Sequence, residues 1–541
     1  MKNKTKIKEV YLNEYSRGFA ELKDNCWNYS IIARNPDADV FTNEYYAGYI
    51  QGKLQGEEAI KAARNNTWNN TYLCDTSEPN SKFPKNFDPS KEELSEAGKY
   101  LHNNYIALLN WIKENEEKEE VARHIKRLVM RMRGIYEGAI TQSNTPKDTF
   151  LLSLSTDCTE FKLAYGDAPL TFGDIYFINA QSDLFDALAS SSKEACRGLH
   201  KPDHCSAFVK RTADGDIYWT HNTWAGFLCQ SHTISYAIGG KSGDEFSDEF
   251  VTQNSYCPGQ FGSNMDFGFN GHGICFNETT HRYGYTEVKK DGIWICWRAA
   301  AAEMFAKSID DFYRHLTIDN TGTYQNGYML IDVNTNETAL IEMSYQRFVL
   351  FRSDGKELKV IDSILGEDTD GMSYDQHLIS PDYILGVNYP ISKNVAYDLK
   401  STDNRPMRRI QFFNQIEQVK DMETAKDLIT YVDNENPLSI YGRWDLGKGI
   451  TEYPKTIPDG AVDAKVYSAN KVKELLKDLN YVPNARGGKT AFWMLYGTPQ
   501  IDGKPFIWSE SQWAEYKKGQ DKDMVPDRLE GGWNETKLFM D

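Results

Sequence analysis

The residue types best suited to covalent chemistry converge in one short stretch. It runs Asp203-His204-Cys205-Ser206-Ala207-Phe208-Val209-Lys210-Arg211, then Thr212-Ala213-Asp214-Gly215-Asp216, then Ile217-Tyr218-Trp219-Thr220-His221-Asn222-Thr223-Trp224. Two apolar runs separated by an Asp-Gly turn predict a β-hairpin. With the turn centred on 213–215, Cys205 falls opposite residues 221–224, so His221, Asn222 and Trp224 sit beside it at the open end. A cysteine opening a strand next to an imidazole and a side-chain amide is a candidate nucleophile, because a neighbouring base can generate the thiolate. A buried or disulfide-bonded Cys205 and a purely structural His221 are the competing readings.

Other chemistries fare worse. Cys196, His200, His204 and Cys205 follow a C-x3-H-x3-H-C spacing of ligand types that zinc takes. Pro202 breaks the helix that would bring both histidines to one face, and neighbours in a strand point apart, so a loop before a strand is favoured. The run 484–490 ends like a phosphate loop, but Pro483 stands where the first glycine is required. Gly-x-Ser-x-Gly, Cys-x-x-Cys and His-Glu-x-x-His do not occur, and no metal or organic cofactor is expected.

Several elements must position these residues. Periodicity predicts helices over 44–63, 91–116, 119–132, 297–305, 422–431 and 470–479, with the first 140 residues mainly helical. From residue 149 short apolar runs bounded by turn residues predict strands, among them 206–210, 217–220, 328–333 and 339–343. The tail from 503 is expected to wrap the surface. Strands flanked by helices indicate an α+β or layered α/β protein.

Composition narrows the function. The 541 residues hold 61 basic and 78 acidic side chains, a net charge of -17, which argues against nucleic acid as a partner. No run approaches the ~18 apolar residues of a transmembrane helix. Met1 to Lys6 is basic but no apolar run follows it, so no signal peptide is visible. Asparagine sequons occur at positions 3, 28, 65, 69, 277, 336 and 534. The nine cysteines lie between Cys26 and Cys296, an odd number that leaves one over if eight pair.

The hairpin resembles the phospholipase B-like proteins, which are N-terminal nucleophile (Ntn) hydrolases. Their His-Cys-Ser-Ala-Leu-type strand corresponds to His204-Cys205-Ser206-Ala207-Phe208, and their next segment to His221-Asn222-Thr223-Trp224. In the same order follow Glu278-Thr279-Thr280, Gly322-Thr323-Tyr324-Gln325-Asn326, Asn436-Pro437-Leu438-Ser439, Arg443-Trp444-Asp445-Leu446 and Asp463-Ala464-Lys465-Val466. The resemblance implies a four-layer αββα sandwich with helical N-terminal additions. It also implies a cut of the His204–Cys205 bond into chains 1–204 and 205–541 that together form one fold.

As catalytic residues it implies Cys205, His221, Trp224, Asn388 as an oxyanion or substrate-amide contact, and either Arg408 or Arg409. Arg409 fits the family's Arg-x-x-Ile-Phe strand locally, whereas Arg408 keeps the spacing to the next helix. Trp224 stands where related acylases hold the nucleophile's amine with an aspartate. The implied activity is hydrolysis of phospholipid acyl esters. An N-acyl amide or peptide amidase with the same nucleophile, or a non-catalytic lipid- or glycan-binding protein, are the alternatives. The implied location is secreted or lysosomal, and a homodimer is an assembly open to it.

Overall fold

The computed structural model describes residues 6–23, 25–72, 91–146, 161–191, 205–229, 232–241, 249–255, 257–263, 266–281, 287–289, 292–364, 367–368, 373–402, 406–436, 439–443, 458–477, 489–500, 503–511, 513–517 and 525–538. The chain begins in strands. Lys6–Asn13, Ser16–Lys23 and Cys26–Ala33 form an antiparallel meander, where helix was expected. The first strand is an exposed edge whose charged residues mask its pattern. The third is nearly all buried, and pairs in parallel with His232–Ile238 from Trp27↔His232 to Ala33↔Ile238. A partner 200 residues away leaves little local trace in sequence.

From His232–Ile238 the sheet continues through Glu249–Ser255, Phe267–Asn270, Ile274–Thr280, Asn326–Asp332, Glu337–Met343, Arg347–Ser353, Leu358–Ile364 and Glu367–Asp368, making twelve described strands. A second sheet of seven described strands has the order Ile379–Ser380, Tyr383–Gly386, Ser206–Arg211, Ile217–Asn222, Asp463–Ser468, Lys489–Tyr496, Trp533–Leu538. The tail therefore supplies an edge strand instead of only wrapping the surface.

The two sheets meet face to face. Trp219 stacks on Phe267 at 5.3 Å between centroids, Phe492 meets Phe267 edge-on at 5.2 Å, and Asn277 Nδ2 donates to the Thr220 carbonyl at 2.8 Å. Alternation along the strands supplies the apolar side chains that fill this layer.

Helices cover the outer faces. Val40–Gln55 and Glu120–Ile140 share a core with Tyr29, Ile31, Ile234 and Tyr236 of the larger sheet. Met422–Ile429 and Ala469–Lys477 pack their apolar sides on the smaller one. The helix expected over 44–63 is two helices, Val40–Gln55 and Glu57–Tyr72, divided at Gly56, whose φ of 84° closes the first. The helix expected to stop at 132 runs to Ile140 through Gly134 and Gly138. A Cβ on Gly134 would lie 2.2 Å from the Tyr45 carbonyl oxygen, so these glycines form a close crossing with Val40–Gln55. Phe172–Ser191 is helical where strands were expected. Among the described residues no helix is long and apolar enough to cross a membrane.

Candidate active site

The predicted hairpin forms with strands Ser206–Arg211 and Ile217–Asn222, joined by a turn that Gly215 closes at φ 86°. Ala207 pairs with His221 and Gly386, and His221 with Lys465. Directly opposed residues in a sheet project to the same side, so Gly386, Ala207, His221 and Lys465 form one row facing the larger sheet. Carrying the register on sets a second row beside it, of Asn388, Cys205, Thr223 and Asp463. A Cβ on Gly386 would come within 2.7 Å of Thr279 Cγ2, so the small residues of the first row let the sheets close up beside Cys205.

Arg408 ties this end together. Its Nη1 donates to the Cys205 carbonyl at 3.0 Å and to Asn388 Oδ1 at 2.9 Å, while its guanidinium lies 4.5 Å from the Trp224 ring centre. Asn388 sits at φ 63°, a left-handed conformation that asparagine tolerates, and its Nδ2 donates to the Thr280 carbonyl at 2.9 Å. The amide is thus held at both ends. Trp224 Nε1 donates to the Ile440 carbonyl at 3.3 Å. Asn222, on the opposite face of its strand, binds the Ile429 and Ile440 carbonyls and accepts from Ser206 N–H, a scaffold role.

Arg408 and Arg409 lie on the helix Pro406–Gln415, where the resemblance implied a strand. Proline suits a first helical position. The four-residue spacing then buries Arg408 and Phe412 together and turns Met407, Ile410 and Phe413 outward. Arg409 points away from Cys205 and pairs with Asp375 at 3.0 Å.

Four acidic or basic groups that the hairpin reading passed over complete the site. One ligating atom each of Cys205, His221 and Asp266 lies within 4.8 Å of the others. Cys205 and His221 are buried, whereas Asp266 is half-buried and carries a strained φ of 54°. Burial raises the Asp266 carboxyl to about 6, against the lowering influence of a hydrogen bond with Glu278 and of the Lys465 ammonium. Lys465 Nζ donates to Thr223 Oγ1 and to Asp463 Oδ1, both at 2.7 Å, and the same Asp463 oxygen accepts from Thr223 N–H at 3.0 Å. Burial, reinforced by the Lys465 ammonium, holds His221 well below its usual range, so its imidazole is neutral.

Glu278 and Lys465 fell within segments matched to a family, but only the register of two separate strands shows them converging on Cys205. Asp266 stood outside any matched segment.

A cysteine, a histidine and a carboxylate are donor types that zinc accepts. The Lys465 ammonium and Arg408 guanidinium oppose a dication here, and the arrangement suits proton transfer better. Of the cluster spaced C-x3-H-x3-H-C, Cys196, His200 and His204 lie outside the described residues, as do 484–488 and the carbonyl side of the bond preceding Cys205. Elsewhere Cys275 and Cys296 are buried or half-buried free thiols, so these two do not pair.

Comparison with known proteins extends the resemblance. Phospholipase B-like protein B of Dictyostelium discoideum is 23% identical over 525 residues, 92% of this chain and 81% of that protein. Phospholipase B-like 1 of Bos taurus is 24% identical over 437 residues, 73% of this chain and 72% of its own. The similarity to Phospholipase B-like protein G of Dictyostelium discoideum, 24% identical over 328 residues, spans 57% of this chain and 52% of that relative's length. A family model for Phospholipase B matches residues 18–524, a span that includes every strand and helix converging on Cys205, and the chain belongs to the Phospholipase B family.

Proposed function

We propose that this chain is an acyl hydrolase of the phospholipase B-like kind, using Cys205 as an N-terminal nucleophile within an αββα Ntn architecture. The observation that carries the reading is the setting of Cys205. It opens a buried strand with its carbonyl held by Arg408, beside Asn388 and within 4.8 Å of His221 and Asp266. After cleavage of the preceding bond, the new α-amine, with pKa ~7.7–8.0, can take the thiol proton. The thiolate attacks the acyl carbon of a phospholipid ester, the alcohol leaves, and water hydrolyses the thioester to a fatty acid and the regenerated thiol. Asn388 and Arg408 orient the reacting carbonyl and stabilise its developing negative charge.

A secreted or lysosomal location accompanies this reading. Among the sequons, Asn336 is exposed and available to a glycan, whereas Asn28 and Asn277 are buried in the larger sheet.

The test is intact-mass measurement and amino-terminal sequencing of wild type and Cys205→Ala, with fatty-acid release from phosphatidylcholine vesicles. Wild type should yield a chain starting at Cys205 and release fatty acid; Cys205→Ala should do neither. Acyl release that survives Cys205→Ala sinks the nucleophile assignment. Release from an N-acyl amide with none from the vesicles makes the chain an amidase.

A further inference from the structure

The α-amine that serves turnover does not exist while the chain is intact, since the nitrogen of Cys205 is then a peptide nitrogen and not a base. Something else must take the thiol proton for the first cut. Among the described residues, a ligating atom each of His221 and Asp266 lies within 4.8 Å of the sulfur. His221 is poorly placed to keep a proton, being fully buried in the row that ends in the Lys465 ammonium. Asp266 differs on each count. It is half-buried, and its carboxylate lies within 4.8 Å of both the Cys205 sulfur and the His221 ring. Glu278, on the neighbouring strand Ile274–Thr280, shares a hydrogen bond with it.

Resting on the reading of Cys205 as nucleophile, we infer that Asp266 is the proton acceptor and donor for cleavage of the bond preceding Cys205. The Asp266 carboxylate accepts the Sγ proton, directly or through the His221 ring. The sulfur attacks the carbonyl carbon of residue 204, and the carbon–nitrogen bond breaks as Asp266 returns the proton to the leaving nitrogen. The products are a thioester and the free amine of Cys205. Water then cleaves the thioester, restoring the thiol and leaving a carboxylate on residue 204. One water is consumed overall, and no oxidant or reductant takes part.

The charged and titratable groups facing Asp266 are Glu278, Lys465 and Asp463, with His221 and Cys205 beside it and Glu303 reaching it from the helix Ile295–Phe305. With the carboxyl at about 6, the ionised form that can accept a proton fills in as pH rises through that value. The experiment uses the full chain, isolated uncut and incubated between pH 4.5 and 8, with cleavage followed by intact mass. The wild-type rate should rise about tenfold per pH unit below ~6 and then level off.

Asp266→Asn should cut at least ~100-fold more slowly on the plateau above pH ~6, the scale of a lost general base, with the gap narrowing as pH falls below it. Asp266→Glu should recover part of the rate with a displaced profile, and urea titration reports whether each variant is folded. Asp266→Asn that is folded yet cuts at the wild-type rate with the wild-type profile overturns the inference and leaves Cys205 in place. Cleavage at the same bond in Cys205→Ala overturns the nucleophile reading itself. A wild-type chain intact at every pH overturns both.

Discussion

Two clusters of buried charge in this molecule settle their electrostatics in opposite ways. In the first, Glu44 binds Arg127 at 2.9 Å and Arg131 at 2.7 Å, Glu249 lies 3.8 Å from Arg127, and both arginines lie over aromatic rings, those of Phe305 and Tyr236. Each acid there has a base. In the second, Asp266 shares a hydrogen bond with Glu278 and faces Asp463 and Glu303, and the ammonium beside it, Lys465, is already bonded to Asp463 and Thr223. Acids outnumber the lysine, and the carboxyls hold their protons more tightly: Asp266 is raised to about 6, and burial lifts Glu303 well above the usual carboxylate range. A cluster balanced by fixed cations can only hold helices and strands together. One balanced by protons can also deliver them, as acid–base chemistry requires.

The comparison can be broken at several points. Cys205→Ala should have the largest effect, lowering acyl release by at least ~1,000-fold, the scale of removing a nucleophile; residual release in a vesicle assay measures it. Glu44→Gln should destabilise by about 3–5 kcal/mol, because two arginines lose their counter-charge in a dry site. Denaturant titration reads that loss, and cleavage per folded molecule should be unchanged. A Glu44 variant that folds normally but no longer cuts would mean that the first cluster is not merely structural.

Glu342 tests the proton-balanced mode away from the nucleophile. It accepts the Ile391 and Ser392 N–H groups at 2.7 Å each, and so holds the segment that carries Asn388, while burial raises its carboxyl to about 8. A folded-state value above the unfolded one means that the folded form keeps the proton longer. The group's contribution is intact below the unfolded value of 4.5 and is lost as pH climbs through about 8. Glu342→Gln should therefore flatten the decline in stability between those values, by up to ~1.4 kcal/mol per pH unit, as read by urea midpoints across that range.

Asp266→Asn should stabilise the fold by about 1 kcal/mol above pH 7, the usual sign when a strained functional charge is removed. A clear destabilisation would instead place Asp266 with the matched cluster. The smallest effect belongs to Arg409→Ala, a partly exposed pair with Asp375 worth under ~1 kcal/mol, with cleavage and hydrolysis near wild type.

Local chemistry made the hairpin legible. Alternating apolar residues and the Asp-Gly turn placed Cys205 against 221–224, and the register bears this out with Ser206 opposite Asn222. The helices Lys91–Asn115, Ile295–Phe305, Met422–Ile429 and Ala469–Lys477 were legible from periodicity, within a few residues of their ends. Features set by distant chain were not. Cys26–Ala33 is an interior strand because His232–Ile238 lies alongside it, and Gly134 continues a helix because Val40–Gln55 crosses there. Of the site, the hairpin members were readable from spacing, and Asn388 and Arg408 only through resemblance. Arg408 was separated from Arg409 by helix phase, which a strand reading conceals. Asp266 had no signal, since its place depends on two sheets facing each other.

One feature of the larger sheet bears on any chain severed before Cys205. Seven consecutive residue pairs join Cys26–Ala33 on one side of that bond to His232–Ile238 on the other, in the interior of the sheet. The fragments would be separate molecules by covalent count and a single cooperative unit by mechanics. They would run as two bands on a denaturing gel yet elute in one native peak and melt together. Neither fragment could leave without exposing the core of its partner, so removal of the first piece cannot serve as the trigger that opens the site.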